Sequence, residues 1–296
     1  MPGLVGVPHM RRTLGIARRA ARRGVRRISQ KVRLELDARF GPLPDHARWV
    51  FLVGCFNSGT TLLHDLLAEH PLVGSMPDEG QFFTDQLLVA RDVGLRRLWA
   101  LEPELFWLDE TRGTHIRVPR LKRQWGARFN DHTRPVLLEK TPTNAARTRW
   151  LQAHFPGATF VGIIRDGRAV AEGIRRKTGC SLALAVRQWV RSNEIMLRDF
   201  EYLQRKRLIR YEDLTEDPAR VVGELLAFLE LPAVSTVDRD RARKIHEQYA
   251  PIHNMNDRSL SSLRPDELRF IEREAGEVLR AFGYLDGSAA EMCNGR

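Results

Sequence analysis

The sequence has little cysteine, no long apolar run and no acid at its start. Its three cysteines, Cys55, Cys180 and Cys293, are far apart and odd in number. That pattern fits neither a disulfide framework nor a CxxC metal site, and it points to a reducing compartment such as the cytoplasm. No apolar stretch approaches the roughly 20 residues that a membrane-spanning helix needs. The N-terminus lacks the apolar core of a secretory signal. Neither zinc-finger spacing nor an RNA-binding aromatic motif is present, which argues against nucleic acid as the main partner. Residues 1–33 contain no aspartate or glutamate but ten arginines and lysines. These ten account for most of the net charge of +11 and leave about +1 for the other 263 residues. Chemistry in the body therefore rests on local charges rather than on a global field.

What the first 44 residues do contain is a basic amphipathic pattern. Leu14, Ala21, Val25, Ile28, Val32 and Leu36 share one helical face, and most arginines share the other. Residues 11–36 suit peripheral contact with an anionic membrane surface. A helix packed on the body, docking on another polyanion and a mitochondrial transit segment are the alternatives. Gly15 and Gly24 each weaken such a helix by roughly 1 kcal/mol.

The body, residues 45–296, alternates short apolar runs with helical patterns. Strands are expected at 47–53, 135–140, 158–164 and 207–210. Helices are expected at 60–69, 144–154, 169–177, 181 to about 202, 219–229 and 265 to about 282. Ser181 and Asp217-Pro218 read as helix starts. Residues 81–130 are mixed and rich in Phe, Trp and Arg, as a lid over a substrate would be. This alternation predicts an α/β fold of three layers, with a mainly parallel central sheet flanked by helices.

The run from Trp49 to Gly54 leads into Gly54-Cys55-Phe56-Asn57-Ser58-Gly59-Thr60-Thr61 and then into a helix. A strand, a glycine-bounded loop and a helix start aim backbone N–H groups at one anion. The Gly54-x4-Gly59 spacing matches a nucleotide phosphate loop, but Thr60 stands where its lysine belongs. A kinase or GTPase reading is weakened accordingly. Arg165, closing the third strand, offers a second anion site at the sheet edge where ligands sit in open α/β folds.

Three stretches, FLVGCFNSGTTLL, EKTPTNAARTRWLQAHFPGATFVGIIRDGRAVAEGI and RLIRYEDLTEDPARVVGELLAFLELP, resemble the sulfotransferases that use 3′-phosphoadenosine-5′-phosphosulfate. The similarity runs over about 48–285 and is nearest to the bacterial and Golgi-type branch with the protein-tyrosine sulfotransferases. It implies a P-loop-like fold and transfer of a sulfonyl group to a hydroxyl or amine, without a metal. Gly54, Asn57, Ser58, Gly59, Thr60 and Thr61 would hold the 5′-phosphosulfate. Arg165 would bind the 3′-phosphate, and Tyr211 would lie near that phosphate or the adenosine. The family's serine eight positions after Arg165 is Gly173 here, so backbone N–H groups, Arg176 or Lys177 would take its place. Glu79, or Asp78 beside it, would accept the acceptor's proton. The family carries lysine or arginine where Asn57 stands, and Lys140 would supply the missing charge. The acceptor, whether small molecule, glycan, lipid or peptide, is left open. A non-catalytic nucleotide-binding or membrane scaffold and an atypical P-loop kinase are the rival readings. Trp189 and Asn193 fit either the family pattern or core packing. Arg258 and Ser259 lie where related enzymes carry a C-terminal phosphate-binding segment, and read as an exposed loop otherwise; His64, His70 and His154 read as structural histidines, and Cys55 as a packing residue.

Overall fold

The heptapeptide Arg48–Gly54, apolar after its first residue, forms β1, the middle strand of a five-stranded sheet. The computed structural model describes residues 28–285, apart from 235, 236, 239, 246 and 247. β1 pairs in parallel with β3 (Val136–Lys140) on one side and β4 (Thr159–Ile164) on the other. β2 (Val73–Ser75) and β5 (Lys206–Arg210) complete the order β2-β3-β1-β4-β5, all parallel. The expected fold class is therefore the observed one.

Strand alternation builds a core on each face. Trp49, Phe51 and Val53 point to one side, where Trp125, Phe155 and Phe160 join them. The rings of Trp49 and Phe155 meet edge-on at 4.8 Å, and Phe51 stacks on Phe160 at 5.5 Å. Val50 and Leu52 point to the other side, with Val161 and Ile163. α2 (Thr60–Ala68) and α8 (Pro218–Phe228) cover that second face through Leu63, Leu66, Val221 and Leu225. α4 (Thr148–His154), α5 (Gly167–Thr178), α6 (Leu182–Phe200) and α10 (Pro265–Ala281) cover the first. Burying each large apolar side chain contributes about 1.5–3 kcal/mol.

The caps sit where the sequence places them: Ser181 accepts from the Leu184 N–H, and Asp217 from the Arg220 N–H. The helix expected at 144–154 starts late. Pro142–Ala146 form a 3-10 turn, with the Arg147 N–H on the Asn144 carbonyl, and α4 begins only at Thr148. The Asn144 side chain is turned to Glu139, which ties this turn to β3. β2, α7 (Tyr211–Glu216), α9 (Asn256–Leu260) and the hairpin of β6 (Arg243–Ile245) with β7 (Gln248–Ala250) were not expected. Each is too short to show periodicity. Residues 80–105 hold four 3-10 turns, and α3 (Val118–Gly126) follows.

Residues 28–40 form a helix, α1. Leu34 is buried, and its carbonyl accepts from Gln124 of α3. Glu35 pairs with Arg120 at 2.7 Å, and Asp37 pairs with Arg128. Ile28, Val32, Leu36 and Phe40 are exposed. Leu14, Ala21 and Val25 of the expected amphipathic face lie outside the described residues. Among the described residues no helix is long and apolar enough to cross a membrane.

Candidate functional site

In a parallel sheet every strand ends on the same edge, so the residues that follow the strands converge. Here they converge on one cavity of about 960 Å³. Asn57, Gly59, Thr60 and Thr61 follow β1, Glu79 follows β2 and Lys140 ends β3. Arg165 follows β4 and Tyr211 follows β5; Gly173 and Lys177 reach the same cavity from α5. Gly54 and Ser58 do not line it. Basic side chains outnumber carboxylates in its wall by eight to three.

The loop after β1 needs its glycines. A Cβ on Gly54 would lie 2.5 Å from the Ile163 carbonyl of the neighbouring strand. Gly59 has φ 99°, and a Cβ there would lie 2.5 Å from the Tyr211 ring. Asn57, at φ 70°, is one of the few non-glycine types at ease in the left-handed region. α2 then starts at Thr60. Its first N–H groups lack helical partners, and its positive end favours an anion.

Arg165 is buried and fixed from three sides. Nε donates to Asn256 Oδ1 at 2.8 Å and Nη1 to the Asn57 carbonyl at 3.0 Å. The guanidinium lies 4.1 Å from the Tyr211 ring centroid. Asn256 is itself held by Glu212 at 2.7 Å, and the Trp189 indole donates to the Arg165 carbonyl at 3.1 Å. Trp189 is fully buried, and Asn193 donates to its carbonyl, so this pair supports the site from within the core. Burial lowers the pKa of Arg165. The Tyr211 hydroxyl accepts from the Met255 N–H at 3.2 Å, which draws residues 253–256 over the site. Arg258 and Ser259 consequently line the cavity from α9. The expected exposed loop is corrected: Ser259 is buried.

Gly173 leaves a gap beside Asn57, since an added Cβ would stand 3.4 Å from Asn57 Nδ2. That Nδ2 is buried and has no hydrogen-bond partner. Asn57 Oδ1 accepts from Lys177 Nζ at 2.9 Å and from Arg97 Nη1 at 3.2 Å. Burial, with repulsion from Arg97, Arg176 and Arg165, pushes Lys177 down to about 8 against the opposing pull of Glu172.

At the other end Glu79 Oε1 lies 3.9 Å from Lys140 Nζ, and both side chains are largely buried. Glu79 Oε2 accepts from Gln81 at 2.5 Å. Burial raises the pKa of Glu79, and Lys140 opposes the rise. Asp78, the other expected candidate, lines the cavity but is exposed. Gly80 pins the Glu79 backbone: its N–H donates to Glu139 Oε1 at 2.9 Å, and its carbonyl accepts from Trp125 at 2.9 Å. Glu139 is fully buried, also accepts from Thr141 and Asn144, and is pushed up by burial to about 7.

Sequence reasoning missed Arg97, Glu139 and Asn256. The one legible signal among them was Glu139, an acid inside an otherwise apolar strand. His70 and His154 bond to backbone carbonyls, as structural histidines do. His64 pairs with Asp65 at 2.9 Å and lines the cavity wall. Cys55 is buried, and burial pushes its thiol up to about 11, which leaves it inert.

The sulfotransferase family model matches residues 50–235. The protein-tyrosine sulfotransferase of Drosophila melanogaster is 25% identical over 248 residues, which is 77% of this chain and 47% of that protein. Protein-tyrosine sulfotransferase 1 of Danio rerio is 26% identical over 195 residues, 62% of this chain and 53% of that protein. The chain thus spans about half the length of these curated relatives. Among solved structures, the sulfotransferase STF9 from Mycobacterium avium superposes with a TM-score of 0.53 at 15% identity, covering 85% of this chain and 79% of that one. That likeness concerns the fold. The chain belongs to the sulfotransferase family.

Proposed function

We propose that the protein moves a sulfonyl group from 3′-phosphoadenosine-5′-phosphosulfate to an acceptor hydroxyl or amine, by in-line transfer and without a metal. The observation that carries this reading is the meeting, in one cavity, of a phosphate loop, a buried arginine and a carboxylate–lysine pair. The wall suits a nucleotide phosphorylated at both ends. The α2 N-terminus with Thr60 and Thr61 would take the 5′ group, and Arg165 beside Tyr211 the 3′-phosphate. The unpartnered Asn57 Nδ2, beside the gap at Gly173, offers a further donor. When bound, the donor supplies the sulfonyl group, with its 5′-phosphate as the leaving group.

Glu79 would accept the acceptor's proton, and its raised pKa makes it a better base near neutral pH. Gly80, Glu139 and Trp125 hold it in place, and such positioning is a large part of catalysis in a transfer reaction. Lys140 would hold Glu79 ionised and stabilise charge in the transition state. The acceptor would approach from the side of Glu79 and Phe82, where Val89, Ala90, Arg91, Arg96 and Arg97, part of the expected lid 81–130, also line the cavity. A tyrosyl peptide heads the acceptor panel because the curated relatives are named for protein tyrosine. Transfer of labelled sulfur from the donor to a panel of peptide, glycan, lipid and phenol acceptors tests the reading. Labelled product is expected for one class, and a folded protein that labels none of them contradicts catalysis.

We also infer that residues 1–44 form a leader that brings the catalytic domain, 45–296, to an anionic membrane surface on the cytoplasmic side. The exposed Ile28, Val32 and Leu36 on α1, continuous with an acid-free basic run, support it. Replacing these three residues with serine should abolish co-sedimentation with phosphatidylserine vesicles. Unchanged binding would refute the contact.

A further inference from the structure

The donor loop carries no cation of its own, yet three cations converge on its Asn57. Arg165 reaches the Asn57 carbonyl, and Lys177 and Arg97 both reach its side-chain oxygen. These cations come from separate parts of the chain: the end of β4, the last turn of α5, and the turn after Gly94. Like charges so placed repel one another, and an anion between them would relieve that repulsion.

Arg97 is built into this position rather than lying there loosely. It is half-buried, and its backbone takes φ 62°, an uncommon value for a side chain of that size. The Leu98 N–H donates to the Leu95 carbonyl at 2.8 Å and closes the turn that imposes it. Its guanidinium also lies 5.3 Å from the ring of Phe56, the residue before Asn57 in the loop. Strain of this kind persists where the surrounding structure over-determines it, and it clusters at functional sites. Lys177, in turn, has Asn57 as its partner, while its neighbour Arg176 is engaged by Glu172 at 3.0 Å.

We propose that Arg97 and Lys177 are the cations of the 5′-phosphosulfate corner, and that Asn57 is a positioning residue that gathers them through Oδ1. This moves Lys177, bonded to Asn57 at 2.9 Å, away from the 3′-phosphate role that the resemblance offered it, and takes the loop's missing charge from Lys140, which faces Glu79. The inference rests on the donor-site reading above. In the transfer the acceptor oxygen bonds to sulfur and its proton passes to Glu79. The bond from sulfur to the 5′-phosphate oxygen breaks, and its electron pair stays on that oxygen. Arg97 and Lys177 face the charge left there, while Lys140 remains with Glu79 at the acceptor end. Because Arg97 belongs to the segment that flanks the acceptor entrance, the corner is complete only when that segment is seated on the loop.

Two nucleotides separate this corner from the other. Adenosine 3′,5′-bisphosphate carries both phosphates, and adenosine 3′-phosphate lacks the one that Arg97 and Lys177 would face. Calorimetric titration of the full chain gives both affinities. Arg97→Gln and Lys177→Met should each weaken the bisphosphate about 10- to 100-fold and leave the 3′-phosphate unchanged. Retained 3′-phosphate binding also shows that the variant is folded. Asn57→Gly, which keeps the backbone conformation, should weaken the bisphosphate by a smaller factor, again selectively. Equal loss of both ligands in a variant with an unchanged circular dichroism spectrum, or loss of neither, overturns the proposal. Failure of the unaltered protein to bind either nucleotide would instead overturn the donor-site reading.

Discussion

The two proposed anion corners of the cavity differ in how they are built. At the first, one guanidinium is fixed in advance: Arg165 is buried, gripped by Asn256 and the Asn57 carbonyl, and faced by Tyr211. At the second, the loop contributes a neutral Asn57, and the charge would come from Arg97 and Lys177, which lie 40 and 120 residues further along the chain and bond to its side chain. The first corner is held by residues that follow β1, β4 and β5, with Asn256 of α9 added. The second depends on how a 3-10 segment and the last turn of a helix seat against the loop. A rigid corner fixes where the nucleotide lies, whereas an assembled corner couples binding to the position of neighbouring segments.

The largest expected effect lies outside both corners and sets the scale for them. Glu79→Gln should lower kcat by about 10²–10⁴ while nucleotide affinity stays unchanged; a comparable loss of affinity would mean that Glu79 serves binding. In the parent enzyme kcat should fall as the solution is acidified through the raised pKa of Glu79, since the base is then protonated. Lys140→Ala should follow the same pattern, with turnover falling far more than donor binding. Intact turnover in that variant would remove Lys140 from the mechanism.

Arg165→Ala breaks the rigid corner directly. Its loss should weaken adenosine 3′-phosphate and the 3′,5′-bisphosphate alike, by about 1.5–3 kcal/mol as for hydrogen bonds to charged groups. Selective loss of one nucleotide would reverse the assignment of the corners. Gly59→Ala probes the frame between them. The left-handed φ of 99° and the 2.5 Å approach to Tyr211 should lower stability by about 1–3 kcal/mol, read by denaturant unfolding. Stability equal to the parent would show that the loop yields.

The smallest effect is a pH dependence of the assembled corner. Lys177 is held near 8 by burial and by Arg97, Arg176 and Arg165, with Glu172 opposing and the neutral Asn57 in contact. As pH rises through that value the ammonium loses its proton. Affinity for the bisphosphate should therefore fall a few-fold between pH 7 and 9 in excess of any change for the 3′-phosphate. Lys177→Met should flatten that difference, and a persistent slope would assign it to another group.

The same contrast explains what was legible in the sequence. The apolar runs of β1, β3, β4 and β5 and the capped helices announce a parallel sheet, and the edge where its strands end is then fixed. Arg165 could be read because it closes an apolar strand, whereas Glu79, Lys140 and Tyr211 came from the family resemblance, and β2, which Glu79 follows, is too short to announce itself. Arg97 could not be read, because its turn has no periodicity and its partner lies 40 residues away in the loop. Asn256 escaped for a similar reason: α9 has only five residues, and what draws it over the site is a bond from the Met255 N–H to Tyr211. Glu139 looked like a strand residue, and its role appears only once Gly80 is seen to donate to it.

The most direct test of the central claim, a donor site with two phosphate corners, is the melting temperature of the full chain with different nucleotides. Adenosine 3′,5′-bisphosphate should raise it, by an amount that grows with ligand concentration, and ATP with Mg²⁺ should not. Stabilisation by ATP with Mg²⁺ alone would contradict the account.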